Sequence, residues 1–326
     1  MAELIRTQHS AWAEAEQVAG EWPRDARYLI VGCGSSLYLA QVAAAIGERK
    51  GYTIRAAPAG DVALEPDRHL EDRDVLVVVS RSGTSTEAVW AADEARRRGV
   101  RVYAVTCQPA SSLAGKADRN FAVSAGEVAT VVMIRSFSSL LVLLQSALGV
   151  RSPNLDRHAP GVLDVTNQGI AGWTEVPRRA YLLGGGVRLG IVQEGALKIQ
   201  EMSGCAAYGY PPLEFRHGPR GSVTPRDLIV LAGQTAFARY EYGVIEDLAR
   251  QGPMLWVVAQ RAWWKALGGA PVFHHRVVLP DDMEDVASGP LAAVPLQRIG
   301  WEMAVANGRD PDHPDNLEKV VAFRRE

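Results

Sequence analysis

DVLVVVSRSGTSTEA, residues 74–88, carries the chain out of a strand and into a helix. Val75 to Val79 is an unbroken β-branched and aliphatic run, as expected of a strand covered on both faces of a parallel sheet. Ser80, Ser82, Thr84, Ser85 and Thr86 follow, with Gly83 among them, and Glu87 opens a helical pattern. Thr84 and Glu87 have the spacing of a capping box, which a single hydroxyl satisfies. The remaining hydroxyls sit where a strand ends and a helix begins, a place that gathers free N–H groups and favours anions. Neutral hydroxyls can bond phosphate and sugar oxygens alike. The stretch therefore reads as a phosphate-binding loop, with a plain helix cap as the alternative.

The same strand–turn–helix order surrounds it. RYLIVGCGSS (27–36) reads as a strand and turn, and LYLAQVAAAIGERKG (37–51) as a helix closed by glycine. YTIRAAP (52–58) and VRVYAVT (100–106) read as strands, RNFAVSAG (119–126) as a weaker one, and SFSSLLVLLQSALGV (136–150) as an apolar helix. The second half replays this order. Tyr28 and Tyr181, Asp74 and Asp227, and Gly99 and Gly252 open matching segments, each pair 153 residues apart. A period this long means two tandem domains. The polar, proline-containing stretch 151–161 marks the boundary, giving expected domains at 1–155 and 156–326. The predicted fold class is α/β, with two tandem domains, each a parallel sheet flanked by helices in a flavodoxin-like three-layer sandwich.

Composition narrows the function classes. A net charge of −2 over 326 residues implies no bulk attraction to nucleic acid or membrane. Cys33, Cys107 and Cys205 are too far apart for a zinc spacing or a disulfide framework. The apolar stretch Leu140 to Leu144, like every other in the chain, is far short of the ~20 residues that span a bilayer. A cytoplasmic location, with no nucleic-acid or membrane partner, is expected. GCGSS (32–36) lacks the third glycine of a dinucleotide fingerprint, since position 37 is Leu. No metal and no cofactor are expected.

The second half has ionisable groups where the first has hydroxyls. In EGALKIQE (194–201), Glu194, Lys198 and Glu201 share one helix face. Such a row is commonly a solvated stripe. Ala196, Leu197, Ile199 and Met202 make this helix apolar around it, so a half-buried carboxylate beside a lysine is a candidate proton shuttle. His217, in the proline-stiffened YPPLEFRHGPRGS (210–222), titrates near neutrality and suits acid–base work. Lys319, flanked by Leu317 and Val320, is a candidate to fold back over a pocket and meet a carbonyl.

Together these pieces resemble the sugar isomerase (SIS) family, and more narrowly the isomerase half of glutamine–fructose-6-phosphate aminotransferase without its glutaminase domain. The resemblance runs through VGCGSS, SRSGTST, EGALKIQE, EFRHGP, VPLQ and DNLEKVV in that order. It implies that Ser36, Ser80, Ser82 and Ser85, with Arg81 beside them, hold a sugar phosphate, and that Ser35 and Glu127 contact substrate. It implies that Glu201 moves a proton between C1 and C2, that Lys198 assists at the neighbouring oxygens and that Lys319 sits at the carbonyl carbon. His217 is implied to open the sugar ring in the site of a second subunit, in a homodimer. Arg81 stands where the synthase usually has Gln, Gly185 where it often has Arg, and EVATVVMIRSFSS (127–139) looks more like stand-alone sugar-phosphate isomerases and deaminases. The expected activity is a phosphosugar aldose–ketose isomerase, with an amino-sugar-6-phosphate deaminase/isomerase as its narrower form. A non-catalytic phosphosugar-sensing module and a deglycase of phosphorylated sugar–amine adducts are the alternatives. Too few residues precede the first strand for a helix-turn-helix, which favours the enzyme over the sensor.

Overall fold

The computed structural model describes every residue except Pro153, 268–272 and 320–326, so Val320 beside Lys319 lies outside the described residues. The chain divides into two compact units that part between Arg151 and Ser152. The first holds Thr7–Arg151 and is joined by the chain from Asn316 to Lys319; the second holds Met1–Arg6 and Ser152–Asp315. Compared with simple halves at 1–155 and 156–326, the outer ends are exchanged. Lys319 goes with the first unit because its side chain is held there by Glu127 and Val128.

In the first unit, β1 (Arg27–Gly32), β2 (Thr53–Pro58), β3 (Val75–Val79), β4 (Arg101–Thr106) and β5 (Arg119–Ala122) form one parallel sheet in the order β2-β1-β3-β4-β5. Every residue of β3 is buried, as its unbroken apolar run predicts. Leu29, Val31, Leu76 and Val78 pack with Ala88, Ala91, Ala92 and Ala95 of helix α2 (Thr86–Arg97). That alanine face lets the helix lie close on the sheet. Two further helices, α1 (Ser35–Arg49) and α3 (Arg135–Ala147), pack against each other.

The second unit begins with α4 (Leu155–Ala171). Its strands β6 (Arg179–Leu183), β7 (Ala207–Tyr210), β8 (Asp227–Ala232), β9 (Met254–Gln260) and β10 (His275–Leu279) are again parallel, in the order β10-β9-β8-β6-β7. Read from β7, this is the first sheet's order, so the duplication seen in sequence is a duplication of topology. Each sheet ties its first and third strands with an arginine–aspartate pair. Arg27 Nε donates to Asp74 at 3.0 Å, and Arg179 Nε donates to Asp227 at 3.1 Å. Helices α5 (Leu189–Ser203), α6 (Ala238–Ala249) and α7 (Gly289–Ala306) complete the unit.

In both sheets the chain leaves the first strand to one side and returns to the third on the other. Such a reversal opens a crevice at the carboxyl ends of those strands, where ligands of open α/β sheets bind. No helix among the described residues is long and apolar enough to cross a membrane.

Candidate active site

The first unit's crevice lies between the turn after β1 and the loop after β3. Both lead into helices that start without a side-chain cap, α1 after Gly34 and α2 after Ser85. The capping box expected of Thr84 and Glu87 does not form. Thr84 Oγ1 instead donates to Ser82 Oγ at 3.0 Å, and the helix begins at Thr86. The reason is local: the Ser82 hydroxyl accepts from both the N–H and the hydroxyl of Thr84, which turns the loop before a helix can start. Ser80 Oγ accepts from the N–H of Gly83, whose φ of +62° closes the bend. Ser35, Ser36 and Ser80 are buried, while Ser82 and Ser85 are partly exposed. The uncapped start of α2 and this ring of hydroxyls suit a dianionic oxygen group.

Three further candidates meet beside this loop. Arg81 is buried, and its guanidinium donates to the carbonyl of Thr130 at 2.9 Å and to that of Lys319 at 3.2 Å. The Lys319 ammonium donates to Glu127 Oε1 and to the Val128 carbonyl. The second oxygen of Glu127 is buried with no hydrogen-bond partner among the described residues. Glu127 and Lys319, 192 residues apart in the chain, thus form one polar group with the hydroxyl loop's own arginine.

In the second unit, α5 presents Glu194, Lys198 and Glu201 on one face. The Lys198 ammonium is fully buried, bonds Glu201 Oε2 and lies 3.3 Å from Glu194 Oε1. Burial works against its charge, but the two carboxylates outweigh that and hold its pKa above the ordinary lysine value. Glu194 is also buried, whereas Glu201 remains 20% exposed. The burial comes from α7. A Cβ on Gly300 would stand 3.2 Å from the backbone carbon of Lys198, so α7 lies directly against α5 at this point. The arrangement is a partly exposed carboxylate backed by a buried cation.

Glu201 lies twelve residues beyond the start of α5, roughly 18 Å along the helix. The glycine turn 184–186 and the ionisable group are therefore separate features. His217 is exposed, two residues past the end of the short helix Pro212–Phe215, whose buried Phe215 packs tilted against Tyr181 and Tyr210. Among the described residues no hydrogen bond or ion pair joins it to the α5 group.

The second unit's crevice is filled by its own side chains, which the sequence reading missed. Gln234, the repeat counterpart of Arg81, donates to the Gly185 carbonyl at 2.6 Å and bridges the two loops. The Gln234 N–H and Trp263 Nε1 donate to Glu241 Oε2 at 3.0 and 2.7 Å. Arg188 donates to Ser288 Oγ at 2.6 Å, and the Thr235 N–H to Asp285 at 2.7 Å. Burial pushes the Glu241 carboxyl up to about 7, against its bonds from Trp263 and Gln234. The only sequence signal was the replacement of hydroxyls by Gln and Glu in GQTAFARYE (233–241).

Comparison with known proteins agrees with this architecture. The SIS domain profile matches residues 24–149 and 175–249, more than half of the chain. The glutamine–fructose-6-phosphate aminotransferase (isomerizing) of Pyrobaculum aerophilum is 29% identical over 95% of this chain and 53% of its own. That of Aeropyrum pernix is 28% identical over 90% of this chain and 51% of its own. The chain thus spans about half the length of these relatives. Among solved structures, glucosamine-6-phosphate deaminase from Thermotoga maritima superposes with a TM-score of 0.82 at 26% identity, covering 98% of this chain and all of that one. The fold is also that of tagatose-6-phosphate ketose/aldose isomerase from Escherichia coli, with a TM-score of 0.78, 21% identity, and 97% and 96% coverage. The chain belongs to the SIS domain family.

Proposed function

We propose that this chain is a phosphosugar aldose–ketose isomerase that moves a proton between C1 and C2, acting on an amino-sugar 6-phosphate with loss of ammonia. The observation that carries the reading is the α5 group: a partly open carboxylate, Glu201, hydrogen-bonded to a buried ammonium, Lys198. A carboxylate so placed can accept and return a proton while the adjacent cation stabilises the oxyanion that develops.

Phosphate binding falls to Ser36, Ser80, Ser82 and Ser85, supplying binding energy away from the reacting carbons. Ser35 and Glu127 contact the sugar, and Lys319 faces the carbonyl or amine carbon. His217 opens the ring of the sugar bound by a second copy of the chain, in a homodimer. Glu201 takes the proton from C2 of the open-chain sugar, leaving an enediol or enolamine, and returns it to C1. With an amino sugar the product is a ketimine, which water hydrolyses to the ketose and ammonia. The structural similarity to a glucosamine-6-phosphate deaminase supports the amino-sugar form.

The test is incubation with glucosamine 6-phosphate, galactosamine 6-phosphate or fructose 6-phosphate in deuterated water, followed by NMR. Deuterium at C1 or C2, with ammonia released from an amino sugar, is the expected result. Binding without exchange for all three would make the chain a phosphosugar sensor instead. Exchange and cleavage only with a phosphorylated sugar–amine adduct would make it a deglycase.

A further inference from the structure

We infer that Arg81 is a positioning residue that joins the phosphate loop to the Glu127–Lys319 pair, and that phosphate is held by the loop's other groups. Arg81 sits between two loop serines, yet its guanidinium donates to two main-chain carbonyls. Its backbone carbonyl accepts the N–H of Cys107 and the hydroxyl of Thr106, both at 3.0 Å, which fixes its Cα to the end of β4. From that fixed point one terminal nitrogen reaches the Thr130 carbonyl and the other the Lys319 carbonyl. Glu127 and Val128, on the segment that ends at Thr130, in turn hold the Lys319 ammonium. Lys319 is thus gripped twice, its main chain by Arg81 and its side chain by the segment Arg81 also holds.

This arrangement needs a forked cation. Guanidinium presents two terminal nitrogens in a fixed plane, so it can serve two carbonyls at once. Glutamine offers one amide nitrogen on a shorter stem, and lysine one ammonium. The grip of Arg81 is also charge-assisted and part-buried, which strengthens each hydrogen bond. The catalytic consequence rests on the proposed phosphosugar reaction; the grip on Lys319 does not.

The test separates the two. Hydrogen exchange is followed by mass spectrometry in a peptide covering 124–133, the segment Arg81 holds at Thr130 and where the Gly126 and Glu127 N–H groups are hydrogen-bonded, and inorganic phosphate affinity by calorimetry, in the full chain and in Arg81→Gln. Exchange about tenfold faster, with phosphate affinity within about threefold, is expected. Unchanged exchange with phosphate binding weakened tenfold or more would overturn the inference and make Arg81 a phosphate ligand. Arg81→Lys keeps the charge and loses the fork, so it should exchange like Arg81→Gln; wild-type exchange in this variant would also overturn the inference. Should Arg81→Gln not fold, the lysine variant carries the same test. Where turnover is measured, kcat should fall about tenfold with KM nearly unchanged, because the reacting end is disturbed and the phosphate grip is not. Failure of every phosphosugar to react would remove the proposed reaction and leave the exchange result standing.

Discussion

Lys198 and Glu201 lie three residues apart on α5 and share a hydrogen bond, the ammonium fully buried and the carboxylate 20% exposed. One partner of the pair therefore reaches the surface and the other does not; in the proposed reaction Glu201 is the reacting group and Lys198 the supporting charge.

Glu201→Gln tests the reacting group. It keeps the side chain's shape and its acceptor for Lys198 but removes the base. Turnover should fall by roughly 10²–10⁴ while phosphosugar affinity changes little. Steady-state rates and calorimetry with fructose 6-phosphate check this. Wild-type turnover in the variant would exclude Glu201 as the base.

Lys198→Met tests the supporting charge. It removes the cation that faces the buried Glu194 carboxylate, and breaking a buried ion pair by removing one partner costs about 3–5 kcal/mol. Adding Glu194→Gln should recover much of that loss, because the buried negative charge is then gone. Urea denaturation of the two single variants and the double variant reads the coupling. Strict additivity would mean that the two side chains do not depend on each other.

Glu241 predicts a pH dependence of stability. Its carboxyl is buried and has a folded pKa of about 7, above the ordinary 4.5. A raised carboxyl pKa means that the folded state holds a proton which the unfolded chain has released. Its contribution is therefore fully present below pH 4.5 and fades as pH rises toward 7, by roughly 3 kcal/mol in all. Arg188 and Asp285 act on the same group in opposite directions, and the value includes both. Glu241→Gln should lose less stability than the wild type between pH 5 and pH 8 in urea titrations. Parallel losses in the two proteins would refute the assignment.

Gly83→Ala tests the phosphate loop. The φ of +62° disfavours any L side chain, and a Cβ there would fall 2.1 Å from the Ser111 hydroxyl. The bend that aims Ser80 and Ser82 must open. A stability loss of about 1–3 kcal/mol is expected, with inorganic phosphate binding reduced more than the fold is. Calorimetry beside a thermal melt decides, and intact binding would show that the bend is not needed for the site.

Much of this was legible in the residues. Val75 to Val79 announced a buried parallel strand, and three landmarks at one offset announced the duplication, because strand burial and domain topology follow local apolar pattern. The spacing of Glu194, Lys198 and Glu201 placed them on one helix face. That spacing is the same for a solvated stripe and for a buried pair, and α7 lying on α5 at Gly300 made it the latter. The capping box was a local rule that a nearer local bond defeated: Thr84 found Ser82 before it could serve α2. Nothing in GQTAFARYE said that its Gln and Glu would seal a crevice, since their partners Gly185 and Trp263 lie on other segments.

The sequence by itself determined the two α/β repeats, the hydroxyl loop at a strand end and the ionisable face of α5. Each follows from contacts between near neighbours and from periodicity. Tertiary structure alone decided which unit Lys319 joins, where Arg81 points and how deeply Lys198 is buried. Arg81 meets carbonyls 49 and 238 residues away, and partners at such separations leave no local pattern to read. They are set by the folded chain, where packing brings a loop, the segment around Thr130 and Lys319 to one arginine.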